Sequence, residues 1–430
     1  MKCLLALILG LGVASSTWAL SLQELQVLID TTPIGHTITV PPGDYQGNLT
    51  VRRPCDLQFQ TGARLIHVPG SAGPTLRIQS SDVAIKGLTV EGTGEGYRSD
   101  HTAILVTGSR ITLSRITIQD AWSGIWLDAC SEVSINQLEV TGLPQFAFWE
   151  RGEGLRITNG SLIRVSDFHI RSTADGIYSE RSTRLEIRDG LVQDARYGVH
   201  GMFSALGTVS GLRTSLTVVG VMLMESSQWV IGNSSLTNGY RTGSAGVREI
   251  RTREVSVEGN EIARQASGIE LIDVRAGTFL NNRITENGTA WTWGRDNTGT
   301  TIQNNVHRGN LLDFAGDEPS ERVLMGPDSS QHGAMQPAPS RTPAEKITVE
   351  ATELHVRPKF DHNEWDGWSG TDLDQDGIGD TPYRFDIKSA VRAATRPWSG
   401  IFLGSPWSQW SQGIPGGEVI DEHPKARPER

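Results

Sequence analysis

The sequence lacks several things, and each shortage excludes a class of protein. After the apolar run from Cys3 to Val13, no stretch approaches the ~20 consecutive apolar residues that a spanning helix requires. No membrane span of its own is therefore predicted. Basic residues are outnumbered by acidic ones, 39 to 49. With no basic excess to displace counterions from phosphate, nucleic acid is excluded as a partner. There is no Ser/His/Asp ordering and no phosphate-cradling glycine loop, and Asp100-His101 reads as an incidental pair on a turn. Cysteine is scarce too, with three residues at positions 3, 55 and 130.

What is present begins with "MKCLLALILGLGVASSTWA", residues 1–19: a lysine, a short apolar run and a small-residue step, the pattern of a cleavable export signal. Its removal would take Lys2 and Cys3 and move the formal charge from −10 to −11.

Glycine followed by an alternating apolar pair then recurs at Gly124, Gly154, Gly176, Gly198, Gly220, Gly246 and Gly268. Most of the intervals are 22 residues, and those of 30 and 26 read as loops inserted into single coils. The segments between, such as "SRITLSRITI" and "SEVSINQLEV", alternate with period two and are rich in Ile, Val and Thr. A leucine-rich pattern with a helical return is missing. An all-strand unit of this length must stack to bury its apolar face, which predicts a right-handed parallel β-helix of ~22 residues per coil.

Asn260 and Asn282 fit an asparagine stack. "LQELQVLID" reads as a short N-terminal helix capping the solenoid. Cys55 and Cys130, some three coils or ~14 Å apart, are expected as buried free thiols. The chain thus divides into the signal (1–19), the β-helix (20–315), a Pro/Ser/Gly-rich insertion (316–346), a terminal coil with an Asp-rich loop (347–395) and a Trp-rich tail (396–430).

Two constellations carry chemistry. In "DLDQDGIGD", Asp372, Asp374, Asp376, the Ile378 carbonyl and Asp380 occupy calcium-loop positions, with Gly377 at the turn. Tyr383 replaces the usual bidentate Glu, so Asp366 or Asp386 would complete the shell. The expected role is a structural Ca²⁺ clip.

The second comes from stacking. Residues alternating with the inward apolar pairs form outer columns: Trp126 and Asp128, Arg156 and Thr158, Tyr178 and Glu180, His200 and Met202, Met222 and Met224, Arg248 and Ile250. His200, Met202, Met222 and Met224 then form an outward patch of imidazole and thioethers suited to transient Cu(I). An apolar contact surface is the alternative. Trp365, Trp368, Trp398, Trp407 and Trp410 could stack sugars, seal the last coil or meet a partner.

"YGVHGMFS" (197–204), "VGVMLMESSQWVIGN" (219–233) and "NEWDGWSGTDLDQDGIGDTPY" (363–383) resemble the NosD family, over roughly residues 20–410. The resemblance implies a non-enzymatic periplasmic β-helix protein that docks on a membrane ABC complex of permease and ATPase. That complex helps to assemble the copper-sulfide site of nitrous oxide reductase, with copper delivered by a lipoprotein chaperone. The competing class is a calcium-dependent polysaccharide lyase or hydrolase. It would need a base over paired carboxylates, and the predicted columns place no carboxylate pair beside Arg156 or Arg248.

Overall fold

The computed structural model describes residues 20–93, 101–240, 243–316, 359–366, 368, 370, 372–374, 376–385, 419–421 and 423–426. The signal segment, Asp100, most of the insertion, the segment 347–356, Asp386 and the tail tryptophans 398, 407 and 410 lie outside the described residues. Among the described residues the elements are strands apart from one helix and a short 3-10 turn, wound as a parallel β-helix of about twelve coils.

Each coil contributes to three parallel faces. One face stacks Ile135 on Val165, Ile187, Val209 and Ile231; the second stacks Val140 on Ile170 and Val192; the third stacks Ile125 on Leu155, Ile177, Val199, Val221, Val247 and Ile269. These side chains are buried in one continuous core, as the period-two pattern requires.

The strands Ser161–Glu180, Thr183–Met202 and Ala205–Met224 each run through all three faces. They can do so because a corner takes one residue in the left-handed region, such as Asp167, Asp189 and Asp194. Aspartate tolerates that conformation better than most side chains.

The glycine that marks each coil has a different cause. At Gly176, Gly198 and Gly220 an added Cβ would fall 2.6, 2.4 and 2.6 Å from the carbonyl oxygen of the next coil's glycine. The column is glycine because neighbouring backbones approach too closely for any side chain.

The register also locates the longer intervals. The shift from Val140 to Ile170 and from Ile125 to Leu155 is 30 residues, and that from Leu236 to Ile262 and Val221 to Val247 is 26. Both extra loops therefore leave at the corner between the second and third faces, one before and one after the coils carrying the His–Met column. The chain between Gly316 and Lys359 leaves at another corner, since Thr301–Gln303 pairs directly with Lys359–Asp361.

At that end an asparagine stack closes the turns. Asn260 donates to Asn282, Asn282 to Asn305, Asn305 to Asn363 and Asn363 to Asp421, at 2.9 to 3.2 Å. The two asparagines read from the sequence are the first of four.

At the opposite end the helix Leu22–Thr31 starts with a Ser21/Glu24 capping box. It buries Leu25 and Ile29, and Gln26 bonds both the N–H and the C=O of Thr50 in the strand Leu49–Val51. Cys55 and Cys130 are buried and free, and burial pushes their thiols up to about 11 and about 12. Among the described residues no helix is long and apolar enough to cross a membrane.

Candidate metal centre

On the outer side of the third face the strand register sets Trp126, Arg156, Tyr178, His200, Met222, Arg248 and Glu270 in one column. A second column holds Asp128, Thr158, Glu180, Met202, Met224 and Ile250. His200 thus stands against Met222 and Met202 against Met224, the pairing expected from the 22-residue spacing.

The expected openness of this patch is corrected. Met222 is 1% exposed and His200 6%. Met222 belongs to a satellite apolar cluster with Val219, Ala245 and Ile250, separate from the solenoid core, and Met224 and Tyr197 pack against it. Side chains that leave one sheet face on coils ~4.8 Å apart cover one another, and period-two reading cannot see that. Met202 and Met224 are half-buried.

His200 is held from several sides. Its Nδ1 lies 2.9 Å from Oδ2 of Asp175, which is fully buried. Arg196 grips the same carboxylate with two bonds, Nε to Oδ1 and Nη2 to Oδ2, each 2.9 Å. Burial by itself would raise the Asp175 carboxyl, but the Arg196 charge and the His200 and Arg196 hydrogen bonds hold it at about 2. An ionised carboxylate only accepts, so this bond needs the proton on Nδ1, and in the neutral ring Nε2 then keeps its lone pair.

That Nε2 is buried with no hydrogen-bond partner. Tyr178 and Tyr197 flank the ring edge-on at 5.0 and 4.8 Å. The Tyr178 hydroxyl reaches Glu180 at 3.2 Å and the Met202 sulfur at 3.7 Å.

An unpartnered imidazole lone pair beside stacked thioethers is a donor set for a soft, monovalent cation. The arginines of the column are already paired: Arg248 with Glu270 at 2.7 Å, and Arg156 with Glu153 at 3.6 Å while it stacks between Trp126 and Tyr178.

Sequence reasoning missed Asp175, Arg196, Tyr197 and Glu270. Asp175 had a signal, because it precedes the repeat glycine at a position that later coils fill with Tyr197, Val219, Ala245 and Ser267. Arg196 sits two residues after the left-handed corner residue Asp194, where no alternation rule assigns a face.

The two inserted loops border this site. Arg151 of the first is buried, bonds Asp194 at 2.9 Å and ties down the carbonyls of Pro144 and Phe146. Tyr240 of the second donates to the same Asp194 at 2.7 Å.

In the Asp-rich loop, Asp372, Asp374 and Asp376 bring carboxylate oxygens within 4.8 Å of one another. Asp372 accepts from the Gly377 amide and Asp376 from the Ile378 amide, with Gly377 at φ 86°. Asp380 instead accepts from the Leu373 amide. Asp366 accepts from the Gly309 amide and Tyr383 donates to Asp313, so both anchor the segment to the coil. Trp365 is buried in the last described coil and Trp368 packs on the core.

Comparison with known proteins bears on the same coils. Residues 136–321 match the family model described as "Periplasmic copper-binding protein (NosD)". The "Probable ABC transporter binding protein NosD" of Stutzerimonas stutzeri is 27% identical over 139 residues, 32% of this chain and 31% of that protein. The matched stretch therefore spans about a third of that relative. Among solved structures the Dettilon tailspike protein (gp208) is similar with a TM-score of 0.51 at 13% identity, covering 68% of this chain and 64% of that one. Such identity speaks to the β-helix alone. The family match runs through every coil that carries His200, Met202, Met222 and Met224, and over residues 136–321 the chain is similar to the NosD family.

Proposed function

We propose that the protein is a non-enzymatic periplasmic accessory factor of an ABC-type permease and ATPase complex, receiving Cu(I) at His200, Met202, Met222 and Met224. In this reading copper comes from a lipoprotein chaperone and leaves toward the copper-sulfide centre of nitrous oxide reductase. The observation that carries it is the buried, unpartnered Nε2 of His200, a residue whose strand-register neighbour is Met222. Thioether and imidazole ligands bind Cu(I) without the tenacity of thiolates, which suits a relay.

The experiment replaces Met222 and Met224 together with leucine, which keeps apolar area and removes sulfur. Anaerobic titration should show weaker Cu(I) binding by the variant. Unchanged binding overturns the ligand assignment. At the level of the pathway, deletion of the gene should yield reductase lacking its copper-sulfide centre, and fully metallated reductase from the deletion strain would end the maturation role.

Ca²⁺ at Asp372, Asp374, Asp376, the Ile378 carbonyl and Asp380 is proposed as a clip on the C-terminal end, because Gly377–Gly379 hydrogen-bonds to residues 424–426. A ligand confined to the folded state raises the melting temperature. Saturating calcium should do so for the native protein and not for Asp374→Ala, and a melting curve indifferent to chelator rejects the clip.

An active site for acidic polysaccharide is disfavoured by the carboxylates themselves. Asp175 is committed to Arg196 and His200, and Glu270 to Arg248. Turnover of pectate or alginate would reverse that conclusion.

A further inference from the structure

We infer that Asp175, locked by Arg196, is the positioning residue that makes His200 a copper ligand, by fixing the ring as the Nδ1–H tautomer. This deepens the copper reading and rests on it. The two nitrogens of an imidazole point in widely different directions, so the bond that turns Nδ1 toward Asp175 turns Nε2 away from it. In the neutral ring only one nitrogen then has a free lone pair, and it is the buried one without a partner. When a histidine binds a metal through one nitrogen, the other commonly donates to a carboxylate, which sets the tautomer and raises ligand basicity.

The support extends a layer further out. Arg196 occupies both Asp175 oxygens, so the carboxylate cannot rotate away from His200 without giving up a bidentate pair. Tyr178 and Tyr197 stand edge-on against the imidazole and oppose a ring flip. Asp175, Tyr178, Arg196, Tyr197 and His200 come from two successive coils, so the arrangement exists only once these are stacked. The burial of a charged pair that the solenoid core does not need is explained by this task. A position filled by Val219 and Ala245 in later coils shows that the fold accepts an apolar residue there.

The test is the variant Asp175→Asn, whose neutral amide is a weaker acceptor and offers N–H donors in place of one oxygen. In an Asp–His pair of a hydrolase this change keeps the geometry and yields the wrong tautomer. Nitrogen-15 NMR of the metal-free protein should show His200 with a protonated Nδ1 in the native chain and a growing Nε2–H population in the variant. Cu(I) affinity, read by competition with a chromogenic chelator, should fall about 10–100-fold, the usual effect of losing such a partner. In a His200→Ala background the same Asp175 change should leave Cu(I) affinity unmoved.

Three results overturn the inference: an unchanged tautomer with unchanged affinity, a native His200 already in the Nε2–H form, or an equal loss of affinity in both backgrounds, which would mark a merely structural role. A His200→Ala variant that binds Cu(I) as well as the native chain would instead reject the copper reading, and the tautomer signal would still decide the positioning role. Circular dichroism confirms that each variant is folded. Should Asp175→Asn fail to fold, Arg196→Lys, which keeps the charge and breaks the bidentate grip, carries the same two readouts.

Discussion

The asparagine stack and the His–Met columns are both polar or polarisable ladders laid across successive coils, and they differ in whether the hydrogen bonds close. Asn305 is fully buried and every polar atom of its amide is used: Nδ2 donates to Phe279, Gln303 and Asn363, and Oδ1 accepts from the backbone and side chain of Asn282. His200, also buried, leaves Nε2 without a partner. Two coils further along and facing inward, Glu249 lies between Leu223 and Leu271, with one oxygen on Thr252 and the other unpartnered. A closed ladder spends its polar groups on stability. An open one keeps a donor in reserve.

Breaking the closed ladder should have the largest effect on folding. Asn305→Ala strands Asn282 and Asn363 groups in a dry stack, and a loss of about 3 kcal/mol or more is expected in urea unfolding.

Glu249 comes next. Burial raises its carboxyl to about 7, against an ordinary value of 4.5, and the Thr252 bond lowers it only in part. The folded state therefore keeps its proton while the unfolded state ionises. The benefit of the neutral carboxyl is complete below pH about 4.5 and is lost as pH rises to about 7, a decline of about 3 kcal/mol. Glu249→Gln should flatten that part of the pH–stability profile, and a slope unchanged in the variant would mean that another group supplies it.

The smallest effect sharpens the contrast. Met222→Leu with Met224→Leu keeps volume and apolar area, so stability should change by less than about 1.5 kcal/mol while Cu(I) binding weakens. A melting temperature that falls steeply would place the methionines with the packing residues of the closed type.

Much of the fold was legible before any coordinates. Glycine spacing and period-two alternation gave the coil length, and with it the pairings His200–Met222 and Met202–Met224. The 30- and 26-residue intervals were readable as insertions, but not the shared corner they leave from, because spacing counts residues without saying on which side of a coil they lie. The Asp-rich loop was legible as a cluster, and Asp372, Asp374 and Asp376 do bring their carboxylates together, while the bond from the Leu373 amide to Asp380 depends on local backbone geometry that spacing does not give.

The sequence by itself determined the repeat, the inward and outward faces, and which side chains meet across neighbouring coils. These follow from a two-residue alternation and a constant coil length, both written along the chain. Tertiary structure decided that the outward patch is covered, and that Asp175 and Arg196 close around one nitrogen of His200 and leave the other open. Those facts depend on corner conformations and on side chains from different coils meeting in space, and no single segment of the chain encodes them.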